Sequence, residues 1–106
     1  MRKFLTPAEV IFQRLSPRAR TLANKAINIV VKAQVNDSKK VNGNLMFNID
    51  IELDEGLREK PFDDQERFAF YDFLKIIAKD CKWNNVEIYL KGSRLKLSFQ
   101  TDIDFY

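Results

Sequence analysis

Acidic residues are the first side chains in this sequence that could do chemistry. Asp50, Glu52 and Asp54 alternate along one segment, and Asp63 and Asp64 follow nearby. Carboxylate oxygens are the ligands that magnesium and calcium prefer, so this row could serve a metal-dependent nuclease. The spacing matches no calcium-binding loop, however, and a solvated acidic strand face explains it more simply. We therefore predict no metal site and rank a nuclease last among three functional hypotheses.

Histidine is absent, and Cys81 is the single cysteine. Histidine is the commonest general base and a common metal ligand, and without it Ser-His and Cys-His catalytic pairs are excluded. One cysteine cannot form an intramolecular disulfide or a cysteine-based zinc site. The sequence predicts a protein that is not an enzyme and has no cofactor. Cys81 is predicted to be a buried residue on the apolar face of a helix.

Basic residues form a stripe in the segment 17–34. Arg18, Lys25 and Lys32 recur every seven residues, so on a helix they share one side over about 21 Å. Such a stripe could follow several phosphates, and asparagine beside it could reach base edges. The alternative is an amphipathic helix whose outer face is simply solvated. The candidate nucleic-acid-binding residues are Arg14, Arg18, Lys25, Asn28 and Lys32.

A second candidate surface combines an aromatic side chain with lysines. On a helix over residues 63–82, Phe68 lies far from the apolar stripe and has lysines and a tyrosine around it. An aromatic framed by lysines could stack on a base or insert into a pocket of a partner protein. Alternatively, the short N-terminal helix covers Phe68. The candidate protein-binding residues are Phe68, Tyr71, Lys75 and Tyr106, the last in the C-terminal tail.

Three helices and three strands must position these residues. Capping boxes at residues 6–9 and 63–66 begin helices that end near residues 15 and 82, and Ser-Pro at 16–17 begins one ending near 34. Alternating apolar residues predict strands over 45–54, 86–91 and 95–105. Residues 36–44 are predicted to be a loop and 57–62 a connection.

The predicted sheet is antiparallel, in the order 45–54, 95–105, 86–91. Gly92 and Ser93 form a two-residue type II′ turn that sets Leu90 opposite Leu95. Because strand 95–105 is longer than its hairpin partner 86–91, it is predicted to be the central strand. Leu53 is also expected opposite Leu95, so that cross-strand charge pairs form. These expected pairs are Asp54 with Arg94 and Glu52 with Lys96.

The composition is that of a globular protein. Of 106 residues, 45% are hydrophobic and 31% are charged. We predict a single α+β domain over residues 1–106, in which two N-terminal helices precede a β-α-β-β unit and helices cover one face of the sheet. No run approaches the roughly 20 apolar residues of a membrane span, and no signal peptide is evident. The predicted location is the cytoplasm, without membrane contact.

Charge is unevenly distributed, and this shapes the functional hypotheses. Residues 1–40 carry nine Lys or Arg against two Asp or Glu, whereas residues 41–80 carry five against ten. The first hypothesis is a small regulatory protein that binds nucleic acid through the basic helix. The alternative is a protein-binding module such as a phage or mobile-element inhibitor of a host protein, which could use the acidic strand face as a nucleic-acid mimic. Strand 45–54 could also pair with a second copy and form a homodimer.

Overall fold

Helices and strands form two layers in the computed structural model, which describes residues 4–102. The helical layer covers one face of an antiparallel sheet, which confirms the predicted α+β class. Within the described range there are four helices and four strands: α1 (Pro7–Arg14), α2 (Pro17–Asp37), β1 (Lys39–Val41), β2 (Asn44–Glu52), α3 (Gly56–Glu59), α4 (Asp64–Asp80), β3 (Asn85–Lys91) and β4 (Arg94–Asp102).

The capping boxes that begin α1 and α4 are both confirmed. The Thr6 hydroxyl accepts a hydrogen bond from the Glu9 amide at 3.2 Å, and the Thr6 amide donates to Glu9 at 3.1 Å. Asp63 and Glu66 make the same reciprocal pair at the start of α4. These bonds satisfy amide groups that have no partner within the first helical turn, which is why the helices begin where the sequence places them.

The helical segments differ from the prediction at three points. α2 continues to Asp37, because no proline or glycine interrupts it near Gln34. A short helix, α3, occupies part of the expected connection 57–62. The prediction that Cys81 is buried was wrong, since its side chain is exposed. Cys81 caps the C-terminal end of α4, where the backbone leaves helical geometry, so it no longer follows the apolar stripe.

The sheet has four strands in the order β1-β2-β4-β3, so the predicted three-stranded sheet was wrong by one strand. β1 lies in the segment predicted to be a loop and pairs with residues 44–46 of β2. Asn42 and Gly43 join the two strands with φ values of 50° and 80°. Asn-Gly is the preferred sequence for a two-residue turn with two positive φ angles, because these residues tolerate left-handed backbone best. Because residues 36–44 are mostly polar, the segment was predicted to be a loop and its Asn-Gly pair was not recognised as a hairpin turn.

The predicted hairpin of β3 and β4 is confirmed, including Leu90 opposite Leu95. β4 lies between β2 and β3 as expected, and Gly92 has the positive φ, 61°, that the turn requires. In the described part of the chain β4 ends at Asp102. The rest of the predicted strand 95–105 lies outside the described residues.

The register between β2 and β4 differs from the prediction by two residues. Ile51, not Leu53, lies opposite Leu95. Leu53 follows the end of β2, where it is fully buried and its amide donates to the Ser93 carbonyl at 2.9 Å. A shift of two residues leaves every side chain on the same face, so apolar alternation could not distinguish the two registers.

The core lies between the helices and one face of the sheet. Its largest fully buried hydrophobic side chains come from β2, β4, α3, α4 and the residue that follows β2, whereas α2 contributes mainly small residues, which allow it to pack closely. None of the helices in residues 4–102 has the length and apolarity needed to cross a membrane. The fully buried large residues are Phe47, Leu53, Leu57, Phe70 and Leu95.

Candidate partner-binding surfaces

Arg18, the first cation of the predicted nucleic-acid stripe, is engaged inside the molecule. Its guanidinium donates to the Lys60 carbonyl at 2.6 Å and lies 3.7 Å from a Glu66 carboxylate oxygen. The guanidinium carbon also lies 4.9 Å from the centroid of the Phe62 ring, which is buried. Arg18 therefore ties the start of α2 to the segment between α3 and α4.

Lys25, the second cation of the stripe, also has an internal partner. Its ammonium group donates to the carbonyl of Leu53, at the end of β2. Arg20, on the same helix, donates to the carbonyls of Phe12 and Gln13 at 3.2 and 2.9 Å and holds α1 against α2. These hydrogen bonds stabilise the packing of α2, and they occupy donor groups that a phosphate chain would otherwise use.

Of the five predicted nucleic-acid residues, Arg18 is half-buried and the other four are exposed: Arg14, Lys25, Asn28 and Lys32. Arg14 is the last residue of α1, whereas Asn28 and Lys32 lie in the second half of α2. The seven-residue spacing thus describes one side of α2 correctly, but only Lys32 among its three cations has no internal partner in residues 4–102.

The acidic row on β2 is neutralised by arginines. Arg94 lies 3.1 Å from Asp50 and 3.7 Å from Glu52, and Arg58 lies 3.7 Å from Glu52. Asp54 accepts the Gly56 amide at 2.8 Å at the start of α3. Cross-strand pairing exists as expected, but the predicted partners were wrong because of the two-residue register shift. Among residues 4–102 no group of three or more acidic, cysteine or histidine side chains could hold a metal ion.

Phe68 is exposed on the outer side of α4, with 57% of its surface accessible to solvent. The expectation that the N-terminal helix covers it is wrong, because α1 packs on the other side of α4. There the rings of Phe12 and Phe73 lie 5.2 Å apart. The guanidinium carbon of Arg67 lies 5.5 Å from the Phe68 ring centroid and leaves most of the ring accessible.

Tyr71 joins the outer side of α4 to the edge of the sheet. Its hydroxyl oxygen accepts a hydrogen bond from the Leu90 amide of β3 at 2.9 Å. Three exposed lysines follow along α4 and just beyond its end, and none forms an ion pair with another described residue. Tyr106 lies outside the described residues. We call the described set the α4 surface: Phe68, Tyr71, Lys75, Lys79 and Lys82.

Comparisons with protein-family profiles, with curated proteins and with solved structures find no match for this chain. The chemistry of the described surfaces therefore carries the functional argument.

The free edge of β3 is a possible binding site that the sequence did not single out. β3 is the last strand of the sheet, and no strand pairs with its outer side in residues 4–102. The predicted three-stranded sheet has two open edges, of which only strand 45–54 was considered for pairing with a second copy, yet β1 covers residues 44–46 of it. The predicted strand order already placed 86–91 at an edge, and this could have drawn attention to it.

Proposed function

We propose that this protein is a non-enzymatic protein-binding module that contacts its partner through the α4 surface. The observation that carries the proposal is the exposed Phe68, together with three lysines that have no ion-pair partner among the described residues. By contrast, two of the three cations on the α2 stripe bind backbone carbonyls of their own chain.

The chemistry of the α4 surface suits a protein partner. Large aromatic side chains are enriched at the centre of protein interfaces, where they fill pockets and exclude water. Lys75 and Lys79 follow Phe68 on the same side of α4, about 10 and 16 Å along the helix. Their stems extend the apolar area in that direction, while their ammonium groups can form a polar rim. The acidic face of β2 is less suitable for the mimicry of nucleic acid, since Arg94 and Arg58 interrupt its charge.

A photo-crosslinking experiment tests this proposal. A benzoylphenylalanine residue replaces Phe68 in one variant and Asn28 of α2, which is also exposed, in a matched control. Each variant is irradiated in an extract of its native cells. We expect a discrete protein adduct from position 68 and none at the same mass from position 28. Equal protein adducts at both positions, or adducts with nucleic acid alone, would contradict the proposal.

Nucleic-acid binding through α2 is the second candidate function. It is supported by the exposure of Asn28 and Lys32 on one side of the helix and of Arg14 at the end of α1. Exposed cations can approach phosphates, and the asparagine amide can pair with base edges. This candidate ranks second because Arg18 and Lys25 are already engaged.

A titration with labelled DNA and RNA distinguishes the two candidates. If α2 binds nucleic acid, the double variant Arg14→Glu, Lys32→Glu weakens binding by about tenfold or more and lowers its salt dependence. Lys25 is left intact because its bond to Leu53 supports the fold. Lys75→Glu, Lys79→Glu is the control of equal charge change. We expect little binding by the wild type; salt-sensitive binding that only the α2 variant loses would favour the nucleic-acid function.

A further inference from the structure

The outer side of β3 presents backbone groups that lack partners within residues 4–102. Lys91 and Arg94 flank the two-residue turn and form the first hydrogen-bonded pair of the hairpin. Along an antiparallel ladder, hydrogen-bonded pairs alternate with pairs whose backbone groups point away from the partner strand. The amide and carbonyl groups of Leu90, Ile88 and Val86 consequently point away from β4. The Tyr71 hydroxyl takes the Leu90 amide, which confirms this direction. The backbone groups of Ile88 and Val86 have no partner among the described residues.

The lysines of α4 run alongside this free edge. α4 and β3 are joined by a short connection after Asp80, so the two elements run in opposite directions. The hydrogen bond between Tyr71 and Leu90 fixes how the two elements are aligned. From Tyr71 to Lys75 the helix rises by about 6 Å, which is close to the roughly 7 Å from Leu90 to Ile88 along β3. Lys75 is therefore level with the unpaired part of the edge, and Lys79 follows towards its start. Lys82 lies beyond the end of α4, where its carbonyl accepts a hydrogen bond from the Thr101 hydroxyl of β4 at 3.0 Å.

The charged side of α4 that faces the edge is mainly cationic. At 100° per residue, Lys75 lies about 40° and Lys79 about 80° from Tyr71. Asp72 and Asp80 lie at about 100° and 180° from Tyr71. Asp64 lies at about 20°, but it is about 10 Å before Tyr71 along the helix and pairs with Arg67 at 2.8 Å. On β3 itself Glu87 is on the opposite face of the sheet, because side chains alternate along a strand.

We infer that the free edge of β3 binds an extended, acidic segment of the partner protein as a fifth strand. This inference rests on the proposed function and specifies the chemistry of the partner. The unpaired groups of Val86 and Ile88 would bond to the main chain of the segment, as in strand addition. Acidic side chains at alternate positions of the segment would face Lys75 and Lys79. The side chains between them would lie on the opposite face of the sheet, the face of Tyr89.

Two other occupants fit this edge less well. A second copy pairing through its own β3 would be related by a two-fold axis, which brings both α4 helices to the same face of the joined sheet. Their lysines would then repel each other. A nucleic acid could pair with the lysines, but its phosphates only accept hydrogen bonds and cannot satisfy the alternating donors and acceptors of a strand edge.

Synthetic peptides test the inference directly. The probe is a fluorescent peptide of three Glu-Val repeats between terminal serines, and its matched controls carry lysine for glutamate or N-methyl groups on alternate amides. We expect the acidic peptide to bind at low salt and each control to bind about tenfold more weakly or not at all. Lys75→Glu, Lys79→Glu should cause a similar loss, whereas Lys96→Glu on the opposite sheet face should change binding little.

Amide hydrogen exchange shows whether the peptide occupies the edge. The amides of Val86 and Ile88 should exchange more slowly when the acidic peptide is bound, because they acquire hydrogen-bond acceptors. Peptide binding without this protection, equal affinity for the N-methylated control, or equally tight binding of an oligonucleotide of the same charge would overturn strand addition. If position 68 crosslinks to a protein while no acidic peptide binds, the proposed function stands and this inference fails.

Discussion

Phe70→Ala is expected to lower the free energy of unfolding by about 3–5 kcal/mol, the largest single effect that we predict. The Phe70 side chain is completely buried, and its ring lies 5.4 Å from that of Phe62. Removing it leaves a cavity between α4 and the core that rigid neighbours can fill only in part. The loss approaches the whole stability of many small domains, which is about 5–15 kcal/mol. Urea unfolding followed by far-UV circular dichroism measures it.

Phe68→Ala is the matched control, two residues earlier on the same helix. Its ring is largely exposed, so the same substitution should change the free energy of unfolding by only about 0.5 kcal/mol. If the proposed function is correct, Phe68→Ala folds like the wild type but no longer binds the partner protein. Equal destabilisation by the two substitutions would mean that Phe68 belongs to the core, and the α4 surface would lose its central residue.

The helical part of this fold could be predicted well because its signals are local. Capping residues fix where α1 and α4 begin, and the apolar stripe of α4 identifies Phe70 and Phe73 as core. The hairpin register follows from one glycine at the turn. β1 was not predicted, because its three residues are all exposed and give no apolar alternation. Its Asn-Gly turn was the one usable signal.

The candidate sites were harder to predict, because spacing identifies the side of a helix and not the partners of its side chains. Arg18, Lys25 and Lys32 do lie on one side of α2, yet the carbonyls that bind two of them belong to distant parts of the chain. No local pattern shows where those carbonyls lie. The same applies to Phe68, whose exposure depends on where α1 packs. A stripe of cations in a sequence is therefore compatible with internal anchoring as well as with ligand binding.

The second large predicted effect tests whether a cation of the α2 stripe anchors the fold or binds a ligand. Arg18→Ala is expected to lower the free energy of unfolding by about 1.5–3 kcal/mol, the contribution of a hydrogen bond from a charged donor. The substitution removes the bond to the Lys60 carbonyl and the contact with the Phe62 ring, and it leaves Glu66 without its arginine. Chemical unfolding of the variant and the wild type in the same buffer measures the difference.

Lys32→Ala serves as the control, since it removes a cation from the same side of α2 at a position with no internal partner in the described residues. It should change stability by about 0.5 kcal/mol or less. If Arg18 instead belonged to a phosphate-binding stripe, both variants would keep their stability and lose affinity for nucleic acid together. The two substitutions thus separate the roles of the two cations. Arg18 stabilises the fold through its internal contacts, whereas Lys32 remains available to contact a ligand.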